Sequence, residues 1–248
     1  MRKDCLENYK VNKKQLSKSN LGDDFMAKSV VTPEENNLFY ANKALKEKKY
    51  LLEGKLTSEY TSYFDNGQII AQILFSRGKK NGLAATYYRE GQIREKTNFI
   101  NDKMDGIYTS YYENGQIREN ENYKNGKLDG IYQIYFKTGQ LKTQETFKNN
   151  KFEGEYVSYY KNGQIKEKGF LLNDKFEGDY IAYYKNGQIK EKATYKNGNL
   201  VGKFLAFNEN GSAASGENSD YSDNDGVWEE KDVADLLQDL KHFDQKNK

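Results

Sequence analysis

Along most of the chain, apolar and polar positions recur every 24 residues rather than at the spacing of a helix. The copy beginning at Gly106 reads Gly-Ile-Tyr-Thr-Ser-Tyr-Tyr-Glu-Asn-Gly-Gln-Ile-Arg-Glu-Asn-Glu-Asn-Tyr-Lys-Asn-Gly-Lys-Leu-Asp. Ile107 to Tyr112 is β-branched and aromatic, which suits a strand. Asn114-Gly115 is a hairpin signal, because a tight turn needs positive φ. Gln116 to Tyr123 reads as the return strand, and Asn125-Gly126 turns the chain toward the next copy. One glycine series falls at Gly67, Gly91, Gly115, Gly139, Gly163, Gly187 and Gly211; a second runs Gly82, Gly106, Gly130, Gly154, Gly178 and Gly202. Copies without an insertion imply stacked units, since an extra residue would disturb the neighbours. The pattern predicts an all-β repeat protein, an elongated single-layer antiparallel β-meander of 24-residue hairpin repeats.

Strand periodicity assigns faces. Ile107, Thr109 and Tyr111 share one face, and Tyr108, Ser110 and Tyr112 the other. Ile117 and Tyr123, six apart, are expected on a common face. Across the copies these positions become columns. One is Tyr63, Tyr87, Tyr111, Tyr135, Tyr159, Tyr183 and Phe207; another is Phe64, Tyr88, Tyr112, Phe136, Tyr160 and Tyr184. A third runs Ile69, Ile93, Ile117, Leu141, Ile165, Ile189, and a fourth Phe75, Phe99, Tyr123, Phe147, Leu171, Tyr195. Tyrosine suits a thin sheet, because its ring packs while its hydroxyl stays wet.

The ends break the pattern. Residues 1–35 carry no period and read as irregular or partly helical. Residues 36–57 look like a degenerate capping repeat, with Lys43 where the turn glycine belongs. The repeat domain spans 58–211, and 212–226 is an acidic linker rich in Ser, Asn, Asp and Gly. Residues 227–244 place Val233, Leu236, Leu237, Leu240 and Phe243 at helical spacing, a short C-terminal amphipathic helix.

Composition narrows the chemistry. The 248 residues are only 36% hydrophobic but 14% aromatic, with 21 Tyr and 13 Phe, so rings replace aliphatic side chains in holding the fold. One His and one Cys leave no set of ligands for a structural zinc and no disulfide framework. A catalytic triad would have to use His242, in the tail. The expectation is therefore no enzyme, no catalytic or metal site and no cofactor. Asp220–Gly226 does not fit a calcium loop, because the first ligand position would be Tyr221. No apolar run reaches membrane-spanning length and no leader core follows Met1, so the chain as written reads as cytoplasmic; a membrane-peripheral or secreted protein stays compatible.

Tyr-Tyr-x-Asn-Gly-Gln-Ile-x-Glu followed by Asn-Gly-Lys-x-x-Gly, clearest in Tyr111–Gly130, Tyr159–Gly178 and Tyr183–Gly202, resembles the bacterial variant of the MORN (membrane occupation and recognition nexus) repeat. The resemblance covers roughly 58–212. It implies a β-hairpin ribbon. Bacterial members often carry an antitoxin label, and other MORN proteins are scaffolds, dimerisation rods or membrane-associated modules.

The candidate binding surface combines three sets. The first is the tyrosine column Tyr63, Tyr87, Tyr111, Tyr135, Tyr159 and Tyr183. The second is Lys103, Lys127, Lys151 and Lys175, which with Lys79 follow the inter-repeat turns. The third is Trp228, Leu236 and Leu240 of the tail. A second basic column, Arg94, Arg118, Lys142, Lys166 and Lys190, lies beside Glu95, Glu119, Glu167 and Glu191, which reads as a solvated, charge-balanced face. Net charge is +2 overall, but residues from 209 onward hold 11 acids against 4 Lys, so an acidic tail is tethered to a basic ribbon and can fold back on it. The leading reading is a non-enzymatic protein-binding module, an antitoxin-like neutraliser or scaffold. The second is a membrane-surface module binding anionic lipid through the lysine columns. Glycan or cell-wall binding is a weaker third, since the only Trp lies outside the ribbon. Interleaved Glu argues against nucleic acid, and homodimerisation stays open.

Overall fold

The computed structural model describes residues 31–214 and the short strand Asp220–Tyr221. From Glu34 to Ala206 successive strands pair antiparallel with their neighbours in sequence, forming one meandering sheet. No helix occurs among the described residues. The expected C-terminal helix at 227–244, with Trp228, Leu236 and Leu240, lies outside them, as does nearly all of the N-terminal segment.

The two Asn-Gly turns of a repeat are built differently. Between Lys124 and Lys127, Asn125 (φ 52°) and Gly126 (φ 80°) are both left-handed. This is the two-residue turn whose twist matches that of the strands it joins. At Asn114-Gly115 only the glycine is left-handed, at φ 83°. There the Gly115 N–H donates to the Tyr112 carbonyl and the Tyr112 N–H to the Gln116 carbonyl, both at 2.8 Å. Asn114 contributes its side chain instead, Oδ1 accepting from the Gln116 N–H at 3.1 Å. The outgoing strand is therefore Gly106–Tyr111, and Tyr112 opens the loop rather than closing the strand.

Bulges correct the simple face arithmetic. The register slips between Ser110 and Tyr111, so that Ser110 faces Glu119 but Tyr111 faces Ile117, and Arg118 has no residue opposite. Parity cannot be carried through such a slip, so Ile117 and Tyr123 are not tied to one face by their separation. The second glycine series marks another bulge, near the start of the outgoing strand. A Cβ on Gly154 (φ 143°) would lie 2.6 Å from the Thr146 Cβ, a separation that no side chain tolerates.

Residues paired across strands share a face. Tyr108, Tyr132, Tyr156 and Tyr180 pair with Glu121, Glu145, Gly169 and Ala193 on what we term the inner face. The core is here: Phe152, Tyr156, Leu171 and Phe176 are buried, with Phe147, Tyr180 and Tyr195 packed against them. Ring centroids lie 4.5 Å apart for Phe147–Phe152 and 5.5 Å for Phe176–Tyr195. The single layer holds because broad rings lie against one another across repeats; Phe152 keeps only 3% exposure while Ile107, on the outer face, keeps 62%.

At the N-terminal end, the strand Glu34–Phe39 is fully exposed and pairs with Leu45–Leu52. Lys43 adopts φ 68°, and the loop keeps its bonds: the Lys43 N–H to the Tyr40 carbonyl at 2.9 Å and the Tyr40 N–H to the Ala44 carbonyl at 2.8 Å. The 36–57 copy thus forms the loop without glycine, its strand starting at Glu34. At the other end Asn208–Ser212 makes an eighth such loop. Within the expected linker, Asp220–Tyr221 adds a two-residue strand, Tyr221 opposite Gly202 and Asp220 opposite Lys203.

Candidate functional site

The column Tyr63, Tyr87, Tyr111, Tyr135, Tyr159 and Tyr183 is half-buried throughout. The Tyr87 hydroxyl donates to Gln72 Oε1 and that of Tyr135 to Gln133 Oε1, each at 2.9 Å. Lys96 Nζ lies 5.6 Å from the Tyr111 ring centre and Lys168 Nζ 5.8 Å from that of Tyr183. These partners belong to the outer face, so the rings are a part-covered floor rather than an open groove.

The adjoining aromatic column is a stitch. The hydroxyls of Tyr40, Tyr88, Tyr112, Tyr160 and Tyr184 donate to the carbonyls of Tyr63, Tyr111, Tyr135, Tyr183 and Phe207 at 2.7–2.8 Å. Each joins one copy to the main chain of the next. The asparagines of the loops repeat the device, Asn114, Asn162 and Asn186 donating Nδ2 to the carbonyls of Lys137, Lys185 and Glu209.

Four residues before Tyr87, Tyr111 and Tyr135, and on the same outer face, stand Leu83, Ile107 and Ile131, exposed by 53%, 62% and 45%. The same position is Glu59 before them and Glu155 and Asp179 after them. Three consecutive copies thus replace a charge with an exposed aliphatic side chain. Sequence reasoning passed over this column because its residues suit a strand wherever they point.

Lys103, Lys127, Lys151 and Lys175 are exposed, each the first strand residue after a turn. They face Ile100, Lys124, Lys148 and Leu172 across that turn. Together they form one edge of the ribbon. Lys103 and Lys175 run their stems beneath Gly126 and Gly198 of the following turns. Lys148 pairs with Asp129 at 3.0 Å, and Lys151 Nζ donates to Asn173 Oδ1 at 3.4 Å. Lys124, Asn125, Lys127, Asp129, Lys148 and Asn149 line a shallow concavity of about 370 Å³.

The charged columns depart from the expected solvated face. Arg94, Arg118, Lys166 and Lys190 pair with their sequence neighbours Glu95, Glu119, Glu167 and Glu191 at 2.6–3.2 Å. The Glu119 and Glu167 side chains keep only 15% and 11% exposure. Deeper on the inner face, Glu121 and Glu145 are each 1% exposed. Both are cross-strand partners of Tyr132. The Tyr123 hydroxyl donates to Glu121 Oε2 at 2.7 Å, while Glu121 Oε1 and Glu145 Oε2 are buried without a hydrogen bond. Burial pushes both carboxyls up to about 8, opposed at Glu121 by the Tyr123 bond and reinforced by Glu119. Both are neutral acids over the acidic half of the physiological range. They escaped notice because this column is otherwise Ile73, Thr97, Gly169 and Ala193.

Among the described residues no three His, Cys, Asp or Glu side chains converge on a metal-sized site. The MORN repeat variant matches the chain in six consecutive segments: 56–76, 80–101, 104–125, 128–149, 152–173 and 176–197. No curated protein matches the chain. The six segments cover more than half of the sequence and follow the observed hairpins copy by copy, so the chain belongs to the MORN repeat variant family.

Proposed function

We propose that this chain is a non-enzymatic repeat module that binds a protein partner through the outer face of its sheet, as an antitoxin-like neutraliser or a scaffold. The observation that carries the reading is the exposed Leu83–Ile107–Ile131 column beside Tyr87, Tyr111 and Tyr135. Exposed apolar positions that recur side by side on one face mark interaction surfaces. Aromatic floors beside them supply contact area at low entropic cost. The charged residues at the same position in the flanking copies limit the patch to three repeats.

The test exploits that limit. Leu83→Glu, Ile107→Glu and Ile131→Glu install the residue type that the ribbon already carries at Glu59 and Glu155. The triple variant should keep its melting temperature and lose the protein retained from native lysate by the unaltered chain. Retention of the same protein by both would overturn the reading. The membrane reading draws support from the lysines on a single edge; it requires salt-sensitive flotation with phosphatidylserine vesicles, abolished by Lys→Glu at 103, 127, 151 and 175.

A further inference from the structure

We infer that the turn edge of the ribbon is a docking surface for the chain's own acidic segment, residues 222–248. This goes beyond the partner reading and does not rest on it. Three observations converge on the same edge. The first is charge. The turn residues and those flanking them hold Lys55, Arg77, Lys79, Lys103, Lys124, Lys127, Lys148, Lys151, Lys175 and Lys196 against Glu53, Asp102 and Asp174. Three more acids reach these turns from nearby positions and are engaged: Asp129 with Lys148, and Asp105 and Glu177 with the N–H groups of Asn125 and Asn197. Asp102 and Asp174 are engaged as well, accepting from the Lys80 N–H and the Phe152 N–H, each at 2.8 Å. Lys103, Lys127 and Lys175 have no ion pair among the described residues.

The second is direction. The strand Asn199–Ala206 starts at the last turn of this edge and runs away from it. Asp220–Tyr221 pairs with it antiparallel, so this short strand points, at Tyr221, toward the lysine edge. From Asp223 to Asp239 the chain carries Asp223, Asp225, Glu229, Glu230, Asp232, Asp235 and Asp239 against Lys231 alone. Extended, those residues reach up to about 55 Å. Lys175 to Lys103 spans three repeats, about 30 Å at two strands each. The reach is sufficient.

The third is apolar content. Ile100 and Leu172 interrupt the basic edge with exposures of 48% and 40%. The segment brings Val233, Leu236, Leu237 and Leu240 in a matching mixture of acid and aliphatic. A purely electrostatic contact would be weak in salt, and buried aliphatic area adds a term that salt does not screen. Docked there, the segment occupies the lysines that any anionic partner would use, so it acts as an internal competitor.

Trp228 is the only tryptophan and lies within the segment, so it reports docking in the full chain. In low salt its fluorescence should be shielded from acrylamide. Shielding should fall about twofold near 1 M salt, where the Debye length is about 3 Å. Lys103→Glu, Lys127→Glu, Lys151→Glu and Lys175→Glu together should remove it, and the four Lys→Arg changes should retain it, with both variants keeping the β spectrum. Carbodiimide coupling of mixed light and isotope-heavy chains should give Lys–acid links within one chain. Trp228 equally quenched in all variants, or links only between chains, which would identify a second copy as the occupant, overturns the inference.

Discussion

At the scale of single residues, the inner face carries an unusual choice. Glu121 and Glu145 occupy core positions where an aliphatic residue would bury at no electrostatic cost. Their carboxyls are held up near 8 by burial, above the 4.5 of the unfolded chain. The folded state therefore holds two protons that the unfolded state releases above about pH 4.5. Their contribution is fully present below the unfolded value and is lost as pH rises through about 8. Glu95, Glu119, Arg118, Tyr108, Tyr123 and Tyr132 face this pair or interact with it, and Glu35, lowered by its Asn37 bond and by Lys48, and Asp129, lowered by Lys148, act in the opposite sense. Melting temperature should fall from pH 5.5 to pH 8. Glu121→Gln with Glu145→Gln should flatten that dependence, and a slope unchanged by the pair would contradict the assignment. Such residues were not legible in the sequence, because a glutamate in an alternating strand reads as outward-facing.

At the scale of the hairpin, the meander was legible because its turn chemistry is explicit. Asn-Gly recurs at fixed offsets, and the 24-residue step survives even where Lys43 replaces glycine. The role of each turn was not legible, since one dipeptide serves two geometries and only φ at the asparagine separates them. Parity failed for a related reason: the bulge at Arg118 carries no glycine to mark it. The tyrosine pair also means more than its rings. Tyr112 donates to the Tyr135 carbonyl at 2.8 Å, whereas Phe136, at the same position of the next copy, has no hydroxyl to give. Removing one such bond should cost about 1 kcal/mol. Tyr112→Phe should lower stability by that amount in urea titration, and Phe136→Tyr should recover a similar gain against the Tyr159 carbonyl. Equal stability of both variants with the parent would show that the hydroxyls are better served by water.

At the scale of the whole molecule, one Cys leaves no pair for an internal disulfide and one His a poor ligand set for structural zinc, but the sequence could not say which face presents itself. The tyrosine columns drew attention by their regularity, yet one of them stitches the ribbon and the other lies half-covered. The more accessible feature is irregular: three aliphatic residues in a column otherwise charged. Regularity reports what every copy needs to stack, and departure from it reports what one region does alone. The stitches have a further consequence. Each uses a side chain of one copy and only main-chain atoms of the next, so the stitch itself does not depend on the side chains of the copy that follows. An in-frame genetic duplication of residues 106–129 should therefore yield a soluble, longer protein with one added hairpin, its β signal in circular dichroism growing in proportion. A change in copy number by whole units leaves these bonds intact with no matching substitution beside them.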